Sequence, residues 1–217
     1  MYVPDRVVKN DELANFVDTS DEWIQQRVGI RERRVCTNQT AIDLACEAAV
    51  RALENSGVQP EELDLNLAAT VSSEMVSPGV AQMVQHHLGA TCMAYDINAA
   101  CSAFIFLLET AAGYFARGKA KKVLIVDWED RSTCVIFGDG AGAAVLGEGD
   151  GYLDSAFCVK GGDDVIKIPQ FIGKSPFFEK EQESPYIHMN GQETFKFAVS
   201  SICDDIRALL QRQNLTA

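Results

Sequence analysis

The chain is poor in positive charge: 19 lysines and arginines stand against 31 aspartates and glutamates, a formal net charge of -12. Recognition of a phosphate backbone needs a basic surface that releases counterions, so general nucleic-acid binding is excluded. Only three histidines occur, His86, His87 and His188, and the cysteines (Cys36, Cys46, Cys92, Cys101, Cys134, Cys158 and Cys203) form no CxxC pair. A histidine-rich or zinc centre therefore lacks its ligands, and no metal is expected. An odd number of thiols with irregular gaps, several inside apolar patterns, favours reduced cysteines over a disulfide framework. No apolar run is long enough to cross a bilayer, and the opening MYVPDRVVKNDELANF has neither the basic nor the apolar stretch of a signal peptide. The expectation is a cytoplasmic protein with no membrane partner.

What is present, 47% hydrophobic and 23% charged residues over 217 positions, suits a globular protein with one or two cores. TAIDLACEAAVRALENSG, from Thr40, spaces its apolar residues at helical intervals and stops at Gly57. LDLNLAATV (63 to 71) reads as a strand, SPGVAQMVQHHLGA as a second helix ending at Gly89, and CMAYDIN (92 to 98) as the next strand. After Cys101 comes SAFIFLLETAAGYFA, apolar nearly all round and therefore expected to be central and buried. KKVLIV has the composition of a strand covered on both faces. TCVIFGDGAGAAVLGEG (133 to 149) reads as two strands joined by a glycine-rich turn, and GYLDSAFCVKG continues in strand character. Residues 161 to 185 look irregular, and helical periodicity returns from Glu193. Strands alternating with helices imply a layered α/β fold.

Any anionic ligand must meet a local basic patch on so acidic a chain. Arg27, Arg31, Arg33 and Arg34 offer one, Lys119, Lys121 and Lys122 another, with Arg131 and Lys196 standing singly. The plain reading for most is solvated charge at helix ends. A free cysteine in apolar surroundings is likewise most often packing material. Cys101 differs in its setting. Ala99, Ala100, Ser102 and Ala103 leave the backbone around it unobstructed, and it stands where a strand gives way to a helix. Unpaired N–H groups and the macrodipole at such a position favour a negative charge, lowering a thiol pKa from about 8.5. The same N–H groups can hold an oxyanion formed when the thiolate attacks a thioester.

At these residues the chain resembles the β-ketoacyl-[acyl-carrier-protein] synthase III family of thiolase-like condensing enzymes. Four stretches carry the likeness, in the family's order: VDTSDEWIQQRVGIRERRV (17 to 35), DINAACSAF (96 to 104), DRSTCVIFGDGAGAAVL (130 to 146) and HMNGQETFKFAV (188 to 199). The resemblance implies a layered α-β-α-β-α fold, with an N-terminal half over residues 1 to 160 that carries the nucleophile. Residues 161 to 217 would be a tunnel segment and the first helix of a C-terminal half. It further implies an acyltransferase that initiates fatty-acid synthesis: Cys101 takes an acyl group from acyl-CoA and passes it to the carbanion made by decarboxylating malonyl-acyl-carrier protein. Acyl-CoA is then a substrate, and no cofactor is expected. Trp23 and Arg131 would flank the CoA adenine, Arg27 would meet its phosphates, and Phe137, Gly191 and Phe195 would line the acyl and pantetheine tunnel. Lys196 would face the acidic carrier protein, and the enzyme would be a homodimer.

The family's histidine and asparagine come in strings resembling HQAN and GNTSA, and neither occurs in the sequence, which closes on RQNLTA. His188, in the HMNG string, is a poor substitute base. Ser77 stands where some members carry an aromatic residue near the acyl pocket, so the primer need not be acetyl. Two alternatives remain open: acyl transfer in secondary metabolism on the same elbow, or a truncated CoA-binding form without turnover.

Overall fold

A computed structural model describes residues 1–129, 135–159, 161–169, 176–177, 181, 183–184 and 186–216. The chain divides into two compact units, Met1–Gly149 and Asp150–Ala217.

The first unit is built on a four-stranded sheet of order β4-β3-β5-β6, from Met93–Ile97, Leu65–Ala69, Lys122–Glu129 and Gly140–Gly147. β3 runs parallel to β4 and β5, while β6 lies antiparallel to β5. Side chains alternate across the two faces, as a pleat requires. Leu65, Leu67, Ala69, Val123 and Ile125 enter one core with Leu107 and Ala111 of helix α5 (Ala103–Ala116). Ala68, Leu124 and Val126 enter the other, against α3 (Ala41–Ser56) and α4 (Val80–Leu88). The unit is thus three layers, helix on sheet on helix. Thr40 and Asp43 form a reciprocal capping box at the start of α3, and Gly57 takes the left-handed φ of +70° at its end.

Ahead of this sheet, β1 (Val7–Lys9) pairs antiparallel with β2 (Glu32–Arg34), enclosing α1 (Asn10–Leu13) and α2 (Asp21–Val28). In the second unit, β7 (Ile166–Lys167) pairs with β8 (His188–Met189), and α6 spans Gly191–Arg212. Asn190 caps α6 through its side chain, and Arg212 reaches Asp154 at 2.9 Å. No helix among the described residues is long and apolar enough to cross a membrane.

Three expectations need correction. Thr133 and Cys134 lie outside the described residues, and among the described residues of 133 to 149 there is one strand, Gly140–Gly147, rather than two, with Val135 and Ile136 in a turn. The glycines and alanines of β6 belong to the ladder, where their small size lets Leu44 and Ala48 of α3 approach Ala141. Tyr152 to Val159 forms no strand. Finally, α5 is not buried all round. Ala103, Leu107 and Ala111 face the sheet, whereas Phe104 and Ile105 are exposed, because a three-layer unit covers a helix on one side only.

Candidate active site

Cys101 sits in a single 3-10 turn, Ala100–Ser102, that links β4 to α5. The α-helix proper begins two residues later, at Ala103, and the Ser102 hydroxyl accepts no capping hydrogen bond from it. The thiol is exposed. Just before it, Ala100 occupies the left-handed region at φ +46°, a conformation that costs an alanine about 1–2 kcal/mol. Strain of this kind persists where the surroundings over-determine the backbone. Here they do: Ala103 and Leu107 anchor the helix side, and β4 is held on the other. Asp96 of β4 accepts hydrogen bonds from the Val80 and Ala81 backbone N–H groups, both at 2.7 Å, and so caps α4. Gly79 permits this approach, since a Cβ there would stand 2.5 Å from the Asp96 Oδ2.

Trp23 and Arg27 lie one turn apart on α2. The Ser20 side chain caps this helix by accepting from the Trp23 N–H at 3.1 Å, and Gly29 closes it at φ +72°. Buried Ile24 anchors its inner face. The outer face carries the Trp23 ring, half exposed, with the Arg27 guanidinium 5.5 Å from the ring centroid. A cation so placed leaves the second face of the indole for another planar group. The Gln25 and Asn10 hydrogen bonds to Asp21 hold that carboxyl below its ordinary pKa.

Phe137 is half-buried in the segment 135–139, which is docked on β2. The Asp139 N–H donates to the Arg34 carbonyl at 2.8 Å, and its carboxylate accepts from the Cys36 N–H at 2.6 Å. Gly138 is required there, because a Cβ would come within 2.9 Å of the Arg34 carbonyl oxygen. Residues 138–142 also line a cavity of about 380 Å³ with Met1, Val3, Asp127 and Phe104. Phe104 is three residues beyond Cys101, so the cavity borders the helix that follows the thiol.

Arg131 lies outside the described residues. Gly191, Phe195 and Lys196 fall in the first turns of α6, in the second unit; Phe195 is exposed and Lys196 pairs with Glu193 at 2.9 Å. Arg33, grouped by sequence with a solvent-facing basic patch, is instead buried, because its guanidinium is drawn inward by acceptors on three segments. Asn10, Asp96 and Asp139 escaped the sequence reading as well. The one available signal was Asp96, a charge in an otherwise apolar strand. His86, His87 and His188 are exposed, and His188 meets the Ser184 carbonyl at 3.0 Å. No cluster of potential metal ligands exists among the described residues.

Comparison with known proteins fits this arrangement. The profile of the family described as 3-Oxoacyl-[acyl-carrier-protein (ACP)] synthase III matches residues 95–161, from β4 through the thiol and the sheet's last strand. The β-ketoacyl-[acyl-carrier-protein] synthase III of Clostridium acetobutylicum is 42% identical over 228 residues, covering 99% of this chain and 70% of that protein. The chain belongs to the β-ketoacyl-[acyl-carrier-protein] synthase III family. Synthase III structures share its fold: the crystal structure from Pseudomonas aeruginosa superimposes with a TM-score of 0.84 at 31% identity, covering 99% of this chain and 69% of that one. A priming β-ketosynthase from a polyketide biosynthetic pathway superimposes at 0.82 with 32% identity, covering 99% and 68%. The thiolase-like layered fold expected of a synthase III chain is therefore the one observed.

Proposed function

We propose that this synthase III chain is the nucleophile-bearing part of a condensing acyltransferase that initiates acyl-chain synthesis. The observation that carries the reading is an exposed thiol on a strained, rigidly anchored turn at the head of α5, within a chain of this family. The Cys101 thiolate attacks the thioester carbon of acyl-CoA, the carbon–sulfur bond to CoA breaks, and CoA leaves as a thiolate that takes up a proton. Malonyl-acyl-carrier protein then loses carbon dioxide, and the resulting carbanion attacks the acyl-Cys101 carbonyl. A carbon–carbon bond forms as the bond to Cys101 breaks, which restores the thiolate. N–H groups at the start of α5, which no side chain caps, are suited to stabilise the oxyanion of each addition.

In this reading Trp23 and Arg131 sandwich the adenine, Arg27 meets phosphate, and Phe137, Gly191 and Phe195 line the route of pantetheine and acyl chain. Lys196 docks the carrier protein, and two copies form the working enzyme in the cytoplasm without cofactor or metal. Residues 1 to 160 form the nucleophile half and 161 to 217 begin the second half. The histidine and asparagine that assist decarboxylation belong to that second half in the wider family.

The test is mass spectrometry of the protein after mixing with short acyl-CoA. One acyl group on the Cys101 peptide, lost in Cys101→Ala, is the expected outcome; a folded protein that carries no acyl mass there overturns the reading. A second reading, priming of a polyketide or related chain by the same acyl-Cys step, is favoured by the likeness to the priming β-ketosynthase. Condensation assays with different primers and carrier proteins separate the two. CoA binding without acylation would instead identify a form lacking turnover.

A further inference from the structure

We propose that Asn10 and Arg33 are positioning residues for coenzyme A, a buried polar brace that ties both ends of α2 to the segment carrying Phe137. The proposal rests on the reading of Trp23 and Arg27 as CoA contacts.

Asn10 is 1% exposed, yet it touches no bulk water and no apolar partner satisfies a carboxamide. Its Nδ2 donates to the Asp21 carboxylate at 2.8 Å and to the Ile30 carbonyl at 2.7 Å. Asp21 is the first residue of α2, and Ile30 follows the glycine that ends it. One amide group thus holds both ends of the helix that displays Trp23 and Arg27. On the opposite side, the Asn10 Oδ1 accepts from the Arg33 guanidinium at 2.6 Å. Arg33, 6% exposed, also donates to the Val8 carbonyl at 3.3 Å and to the Val135 carbonyl at 3.4 Å. The planar guanidinium spreads five donors in a fixed fork, which lets one buried group reach acceptors on three segments.

The local secondary structure does not explain the geometry without them. β1 and β2 share three residue pairs, too short a ladder to be stable by itself, and α2 buries only Ile24. The contacts of Asp139 fix residues 135–139 on β2, and the Asn10–Arg33 pair is what links α2 to that frame. A recognition pair displaced by about 1 Å can lose up to about a hundredfold in effectiveness.

The experiment uses the full-length protein, with calorimetric titration of CoA, acylation kinetics at Cys101 and alkylation of Cys101 by iodoacetamide. For Asn10→Ala, the Kd of CoA and the KM of acyl-CoA rise about tenfold, the saturating acylation rate changes less than about twofold, and alkylation is unaltered. A KM left unchanged, or a parallel fall in saturating rate and alkylation, overturns the proposal and marks Asn10 as merely structural. Asn10→Asp keeps an acceptor for Arg33 but sets a carboxylate against Asp21, and it weakens CoA binding. Adding Asp21→Asn reverses the polarity of that hydrogen bond and recovers affinity. This pair decides the matter even if Asn10→Ala does not fold: equal affinities of the single and double variants overturn the brace. Absence of CoA binding by the unaltered protein would defeat the underlying reading instead.

Discussion

Helices α3 and α6 are both amphipathic, and their fates are opposite. α3 buries eight of its residues, among them Leu44, Cys46 and Leu53, while α6, longer by six residues, buries none. The difference lies in what each helix meets. Beneath α3 are β5 and β6, whose alternate side chains fill one core, and the alanines of helix and strand allow close approach. In the second unit the described strands are two residues each, and Phe197, Ile202 and Ile206 of α6 remain exposed. An apolar stripe specifies which face is to be covered; only a second layer covers it.

The largest contrast is chemical. Burial pushes the Cys46 thiol of α3 up to about 11, whereas Cys203 of α6 is exposed. At pH 8, three units lower, about one Cys46 thiol in a thousand is ionised. Iodoacetamide should therefore modify Cys203 at least about a hundredfold faster than Cys46, read by peptide mass spectrometry over time. Equal rates would mean that α3 is not docked on the sheet. The same shift has a sign for stability. The folded thiol holds its proton more tightly than the unfolded one, so its contribution is full below the ordinary thiol range and is lost as pH rises towards about 11.

Next in size are core truncations. Leu124→Ala, at a fully buried position on β5, should destabilise by about 2–5 kcal/mol. Ile202→Ala on α6 should change stability by no more than about 0.5 kcal/mol. Denaturant titration of both variants sharpens the comparison, and a large loss at Ile202 would break it. Asp96→Ala removes the α4 cap and should cost about 1–2 kcal/mol in the same assay. Gly79→Ala should reproduce part of that loss by crowding the carboxylate.

The smallest effect concerns the end of α6. The Arg212 and Gln213 hydrogen bonds lower the Asp154 carboxyl to about 2. A depressed carboxylate stabilises above the unfolded range and ceases to do so as pH falls from about 4 towards 2. Hydrogen exchange at residues 209–213 should accelerate across that window and be flat in Asp154→Asn. No acceleration would show that the ion pair does not secure the helix end.

Much of the first unit was legible because periodicity is local. α3, α4, β3, β4 and β5 follow from apolar spacing and glycine stops, and the setting of Cys101 from small residues between strand and helix. The brace at Asn10 and Arg33 was not legible, since its partners lie up to 102 positions apart in the chain. Arg33 illustrates the difficulty: beside Arg31 and Arg34 it looks like surface charge, and only the convergence of Val8, Asn10 and Val135 turns it inward. The glycine-rich stretch misled for a related reason. Its small residues serve close packing against α3 and Arg34, which no local pattern announces.

By itself the sequence determined α3, α4, β3, β4 and β5, the glycines that stop the two helices, and that one thiol stands clear at a strand-to-helix junction; these depend on residues within a few positions of one another. Tertiary structure alone decided which faces are covered, that Asp96 and Gly79 lock the strand leading to the thiol, and that one buried amide holds both ends of α2. Those outcomes are set by distances between segments remote in the chain, and a hydrogen bond or a packed face exists only when both partners have been brought together.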